Sequence, residues 1–333
     1  MNIQYLIDGH FDMLSDVAAR RKNGERQVIR RLYWPDFQAG GVTGVIASLF
    51  VDSQYLPCGA LEIAMEQASA LLQEVQESAD ILMLCTCAED FVRAAAEHKV
   101  GILMAFEGAE PVSSCLTLHG FYHLGVRGLG LAWSRRNAAA DGCDFSGSSK
   151  KGGLTALGRD LVREAERLHM FIDVSHLSDE GVEDVLDMTS CPVAATHSNA
   201  RAIAGCNRNL TDRQMKEIAA RGGIAGLNGC SILAEETGSQ ATPLSLVRHL
   251  KHMISVMGEG HVGLGFDFCD IFLQHSSSLD LGKMPEYPFD IIKGHSAIPA
   301  FLNLLLQQGF SESSIRRLAG ENWLSFMEKT LKK

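Results

Sequence analysis

Residues 171–199 read FIDVSHLSDEGVEDVLDMTSCPVAATHSN, two short apolar runs that each end in a histidine. Phe171–Val174 leads into Ser175-His176, and Pro192–Ala195 leads into Thr196-His197. Each run has the length of a buried strand, and the charged amphipathic segment between them suits a crossover helix. Parallel strands joined in this way set their C-terminal ends side by side, so His176 and His197 are expected together at one rim of a sheet. Neighbouring imidazoles there suit a metal site. Two core histidines satisfied by hydrogen bonds are the alternative. That reading fits either residue alone better than it fits the pair, because ligands and catalytic groups gather at this end of such sheets.

The same strand–helix alternation recurs along the chain. Tyr5, Gly44, Gly101, Val126, Phe171, Val193, Ile224 and Val262 mark apolar runs separated by helical patterns, and helices are also expected at 295–308, 311–318 and 321–331. About eight such units predict an α/β fold, a (β/α)8 TIM-barrel-like structure with additional C-terminal helices. An open doubly wound sheet is the runner-up. Ile81–Cys85 is apolar without a decided pattern, and 13–40 reads as an arginine-rich loop with a short helix. Polar loops are expected at 138–153 and 269–288. With no internal repeat or linker, residues 1–333 read as one domain.

Composition narrows the function classes. A chain that is 46% hydrophobic and 21% charged has material for a large core. Its formal net charge of -10 is unlike that of a nucleic-acid binder, which carries a basic patch. No run reaches the length of a membrane span, and the first residues lack the pattern of a signal peptide. Nine scattered cysteines read as buried small residues in a reducing compartment, so the cytoplasm is expected. Phosphate-binding glycine loops are absent: there is no GxxxxGK[ST], and Gly128 and Gly130 do not complete GxGxxG.

Polar residues close the apolar runs: His10 and Asp12 after the first, Glu107, His176, His197, and Asp267 after Val262–Phe266. In a parallel barrel all of these ends open on one rim. A carboxylate such as Glu107 at the end of an apolar strand is costly to bury without a partner or a cation. Imidazoles and carboxylates together match Zn2+ or a similar borderline cation better than Ca2+ or Mg2+. There are more ligands than one ion needs, which leaves room for two ions sharing one carboxylate.

These residues carry a resemblance to a known family. Asp8-Gly9-His10-Phe11-Asp12, Phe106-Glu107-Gly108, Gly153-Leu154-Thr155 with Gly158, and Asp173–Ser178 stand in the family's order. So do Thr196–Ala200, Arg208-Asn209-Leu210-Thr211 and Gly265–Phe268. Nearly the whole chain resembles the membrane dipeptidase (renal dipeptidase) family of zinc peptidases, within the metal-dependent hydrolases. The resemblance implies two Zn2+ per chain, one on His10 and Asp12, the other on His176 and His197, with Glu107 bridging. It implies hydrolysis of a dipeptide by a metal-bridging hydroxide, with Asp267 and Glu107 in the catalytic machinery and Asp267 shuttling a proton to the leaving amine. Arg208, with Asn209 beside it, would bind the substrate's free carboxylate. A homodimer is also implied.

One position departs from the family. Renal-type members follow the strand ending at Ala132 with a histidine that contacts the substrate, and here that residue is Trp133. An indole N–H donates one hydrogen bond but cannot carry a proton as imidazole does. Arg135 and Asn137 are nearby donors. The departure leaves open a related amidohydrolase acting on another small amide, lactam or lactone. A binding protein that keeps the metal for structure is a third possibility, which the complete ligand set and Asp267 oppose.

Overall fold

The computed structural model describes residues 2–144, 152–270 and 286–332. The expected loops at 138–153 and 269–288 therefore lie partly outside the described residues. Among the described residues, nine parallel strands form one sheet: β1 Ile7–Phe11, β2 Gly44–Phe50, β3 Leu82–Leu84, β4 Val100–Glu107, β5 Val126–Gly130, β6 Phe171–Asp173, β7 Ala194–Ala195, β8 Ile224–Leu227 and β9 Val262–Leu264. β2 pairs with β4 from Gly44↔Gly101 to Phe50↔Glu107 and β1 pairs with β9, which closes the ring. β3 meets only the first residues of β4, Leu82↔Val100 to Leu84↔Ile102, and stays outside it. The result is a closed eight-stranded (β/α)8 barrel wrapped in helices, with further helices at the C-terminus. The eight sequence markers fall on, or within two residues of, the eight strands of the ring.

Strand alternation sorts the side chains between two cores. Ile46, Leu103, Ala105, Phe171, Ala194 and Ile224 pack inside the barrel. Val45, Ala47, Ile102, Met104, Phe106 and Ile172 pack outward under the helices. Trp323, from the helix Asn322–Thr330, fills the inside core and donates its indole N–H to the Leu264 carbonyl at 2.8 Å. A β-carbon on Gly9 or Gly263 would collide with that indole, so these positions admit nothing larger. The C-terminal helices thus complete the barrel.

Residues 13–40 hold more helix than the expected loop. They form the helices Met13–Lys22 and Trp34–Gly40 with a π-helical turn Ile29–Tyr33 between. Their arginines are paired: Arg20 with Asp16, and buried Arg21 with Glu74 and Glu77 of the helix Ala60–Glu77. For Arg21, partners far along the chain offset the cost of burying its charge, and no local pattern reveals them.

Candidate active site at the C-terminal rim

On β4 the alternation that puts Leu103 and Ala105 inside the barrel also turns Glu107, its last residue, inward. On β2 it turns Ser48 inward, and Ser48 donates to Asp12. The register of β1 slips between Asp8 and Phe11, which breaks its alternation just at His10. His176 and His197 follow β6 and β7, and Asp267 follows β9. His176 at φ 66° and Asp267 at φ 55° occupy the left-handed region, uncommon for residues other than glycine and frequent at functional sites. Beneath them, a β-carbon on Gly226 or Gly265 would strike the Thr196 carbonyl oxygen, so β7, β8 and β9 approach closely here.

All six rim residues converge. One oxygen of Glu107, Oε1, lies 2.9 Å from His176 Nε2 and 3.5 Å from His197 Nε2, and the other, Oε2, lies 3.6 Å from His10 Nε2. His10 Nε2 is also 3.5 Å from Asp12 Oδ1 and 4.0 Å from Asp267 Oδ1. The His10 and His197 rings stack with centroids 3.6 Å apart, and the Nε2 atoms of His176 and His197 are 2.9 Å apart. His10, Glu107, His176 and His197 are all buried.

The electrostatics are those of a crowd of acids. Burial raises the Glu107 carboxyl well above its usual range, and the charge of Asp12 raises it further. Burial also lifts Asp267 to about 7, against the opposing pull of His10. His10 would be lowered by burial, but Glu107 and Asp12 more than reverse this and raise it. Burial, with nearby Arg208 and His10, holds His176 and His197 well below the usual range, so both are neutral, the form that binds metals. Among the described residues the ion-pair partners of Glu107 are imidazoles alone. Buried His10 Nε2 has no hydrogen-bond partner although it points into the cluster. Such a site is short of positive charge, and its donor atoms fit a divalent cation. Among the described residues of this rim, two groups of atoms lie close enough to hold one: His10, Glu107 and His197, and His10, Asp12 and Asp267.

The remaining predicted residues stand around this cluster. Arg208 is buried, donating to Ser198 Oγ at 2.6 Å and to the His197 carbonyl at 2.9 Å, while its Nε has no partner. Asn209 turns its amide to the backbone of its own loop and of the helix Ser231–Ala234: the carbonyls of Ala204 and Leu233 accept from Nδ2, and the Asn199 amide donates to Oδ1. Half-buried Trp133 leans on His176 with centroids 5.6 Å apart and on Phe50 at 5.5 Å. Arg135 lies 5.0 Å over its indole and donates to the Val51 carbonyl, with Glu110 at 3.0 Å. Asn137 braces the backbone of its own loop, at Leu131, Ala139 and Ala140.

Several residues that orient the cluster escaped the sequence reading. Ser134 holds His176 Nδ1 at 2.6 Å, and Thr196 holds His197 Nδ1 at 2.7 Å. Asp173 accepts from the amides of Ser175 and Thr196 and from the Thr196 hydroxyl, fixing both histidine-bearing turns. Asn228 donates to Asp267. Ser134 and Asn228 follow strands as the predicted ligands do, so the same rule would have found them. Such partners fix the tautomer and aim of a ligand.

Known proteins resemble this chain along nearly its whole length. The family model "Membrane dipeptidase (Peptidase family M19)" matches residues 1–332. A Klebsiella pneumoniae protein named "Uncharacterized protein in pqqA 5'region" is 33% identical over 82% of this chain and 98% of its own length. Dipeptidase tcpJ of Claviceps purpurea is 31% identical over 76% of this chain and 56% of its own. Among solved structures, a metallo peptidase from Rhodobacter sphaeroides, liganded with a phosphinate mimic of the dipeptide L-Ala-D-Ala, superposes with TM-score 0.86. It is 30% identical, and the match covers 99% of this chain and 100% of that one. Dipeptidase AC, a metallo peptidase of family M19, has TM-score 0.86 at 31% identity over 98% of each chain.

Proposed function

The chain belongs to the membrane dipeptidase family, Peptidase family M19, and from that premise we propose that it is a zinc-dependent dipeptidase. Two Zn2+ would be held, one by His10 and Asp12 and one by His176 and His197, with Glu107 shared between them. The observation that carries this reading is Glu107 itself, which turns one oxygen to His176 and His197 and the other to His10. When bound, such ions polarise a carbonyl and make water a nucleophile near neutral pH.

The chain's own residues supply the rest. Arg208 presents a buried guanidinium whose Nε is uncommitted, suited to a substrate carboxylate. Asn209 braces the loop from which Arg208 projects. Asp267, aimed by Asn228, would take a proton and deliver it to the departing amine. The similar Rhodobacter sphaeroides peptidase, solved with a dipeptide mimic, supports a dipeptide as the substrate class. We also take residues 1–333 to be one domain, since a single rim collects every one of these groups.

Trp133 favours a second reading, a related amidohydrolase for another small amide, lactam or lactone, because an indole replaces the family's histidine. One experiment separates the two. Zn2+-loaded protein is assayed against L,L, L,D and acylated dipeptides beside cyclic amides and lactones. Dipeptide hydrolysis that a chelator abolishes is expected. Metal-replete protein inert toward every dipeptide would sink the assignment, and turnover of a cyclic amide alone would favour the second reading.

A further inference from the structure

Behind the rim lies a buried polar group that the reaction itself does not use. Asp8, in β1 two residues before His10, accepts through Oδ1 from the Phe266 amide at 2.9 Å and the His10 amide at 3.3 Å. Phe266 immediately precedes Asp267, whose own amide donates to the His10 carbonyl at 3.3 Å. One carboxylate therefore ties together the two strand exits that carry His10 and Asp267.

The other oxygen of Asp8 is held from outside the barrel. Oδ2 accepts from His295 Nε2 at 2.9 Å. His295 is buried among three aromatic rings, with centroids 4.7 Å from Phe11, 4.9 Å from Phe37 and 4.7 Å from Phe268. Asp36 Oδ2 faces its other nitrogen at 3.7 Å and accepts the His295 backbone amide at 2.8 Å. A β-carbon on Gly40 would collide with the His295 carbonyl, so the two segments have no room to slide.

We propose that His295 is a positioning residue for the metal centre, fixing His10 relative to Asp267 through Asp8. The proposal rests on the metal-centre reading above. Removing the imidazole leaves a fully buried carboxylate with no donor to one oxygen. The least costly relief is for Asp8 to turn toward other donors and release a backbone amide. His10 and Asp267 then lose their common anchor.

The test uses the full chain and Zn2+. His295→Leu fills the aromatic cage without a donor, whereas His295→Gln keeps an N–H within reach of Asp8. Zn2+ affinity is measured by competition with a chromogenic chelator, and Tm is measured with and without Zn2+. Leu is expected to weaken Zn2+ binding by about tenfold, the low end of the cost of losing an outer partner because His295 acts through Asp8, and to shrink the Zn2+-induced rise in Tm. Gln is expected to restore both. A merely structural role would lower Tm equally with and without Zn2+ and leave affinity unchanged, and that result overturns the proposal. Should the Leu protein not fold, His295→Asn, too short to reach Asp8, is judged by the same two outcomes. Wild-type protein with no Zn2+-induced rise at all would instead sink the metal centre, and the proposal with it.

Discussion

Asn228 donates its side-chain amide to Oδ2 of Asp267 at 2.8 Å, and the same nitrogen lies 3.2 Å from the His197 carbonyl. This bond turns the other oxygen of Asp267 toward His10 Nε2, 4.0 Å away. An acid held in that way can relay a proton across the site. Asp267→Asn keeps the shape and removes the proton chemistry. Its kcat is expected to fall by about 10²–10⁴-fold, the usual share of a general acid–base, with KM and zinc content near wild type. Steady-state kinetics and elemental analysis check both, and unchanged turnover would remove Asp267 from the mechanism.

Glu107 turns one oxygen to His10 and the other to His176 and His197. Glu107→Gln preserves volume and hydrogen-bonding capacity but removes the negative charge. Both proposed ions lose a ligand at once. Metal retained after dialysis is expected to fall by about half or more, with dipeptide hydrolysis lost in parallel, since a single ligand carries a large part of a site's affinity. Two retained equivalents with normal turnover would show that Glu107 is not shared between ions.

The site is legible in the sequence to a degree that varies by residue. Glu107, His176 and His197 can be placed because each ends an apolar run, and the barrel geometry sends all such ends to one rim. His10 needs more, because its strand changes register just there. In residues 13–40 the buried Arg21 stays hidden, because the glutamates that neutralise it lie about fifty residues away. His295 gives no local signal at all. Its partner Asp8 lies 287 residues earlier, and only the folded barrel brings them together.

Trp133 tests whether the indole is a wall or a donor. Phe50 and Arg135 clamp its ring, and it leans against His176. Trp133→Phe keeps a flat ring and loses the N–H; Trp133→Ala removes the ring. If packing is what matters, Phe is expected to hold kcat/KM near wild type. Ala would then fall by about tenfold or more, in line with the order of 1–3 kcal/mol by which an apolar pocket discriminates small changes in shape. Equal losses in both variants would instead assign the work to the indole N–H.

His249 makes acid stability a sharp test of the packing near the Arg208 loop. It is fully buried, accepts the Ala200 amide at Nδ1 at 3.1 Å, and donates from Nε2 to the Ala234 carbonyl at 3.1 Å. Burial pushes its pKa from 6.5 down to about 4. The unfolded chain therefore takes up this proton near pH 6.5, while the folded chain refuses it until about pH 4. Between those values the unfolded state binds more protons, so stability is complete above pH 6.5 and falls as the pH drops toward 4. The single group is worth about 3 kcal/mol across that window. Denaturant titrations of wild type and His249→Gln, each from pH 7.5 to 4, isolate it from the carboxylates common to both. The difference between the two curves is expected to favour wild type most at neutral pH and to shrink by about that amount in acid. A difference that does not change with pH would show that His249 is protonated in the folded protein as readily as in the unfolded chain.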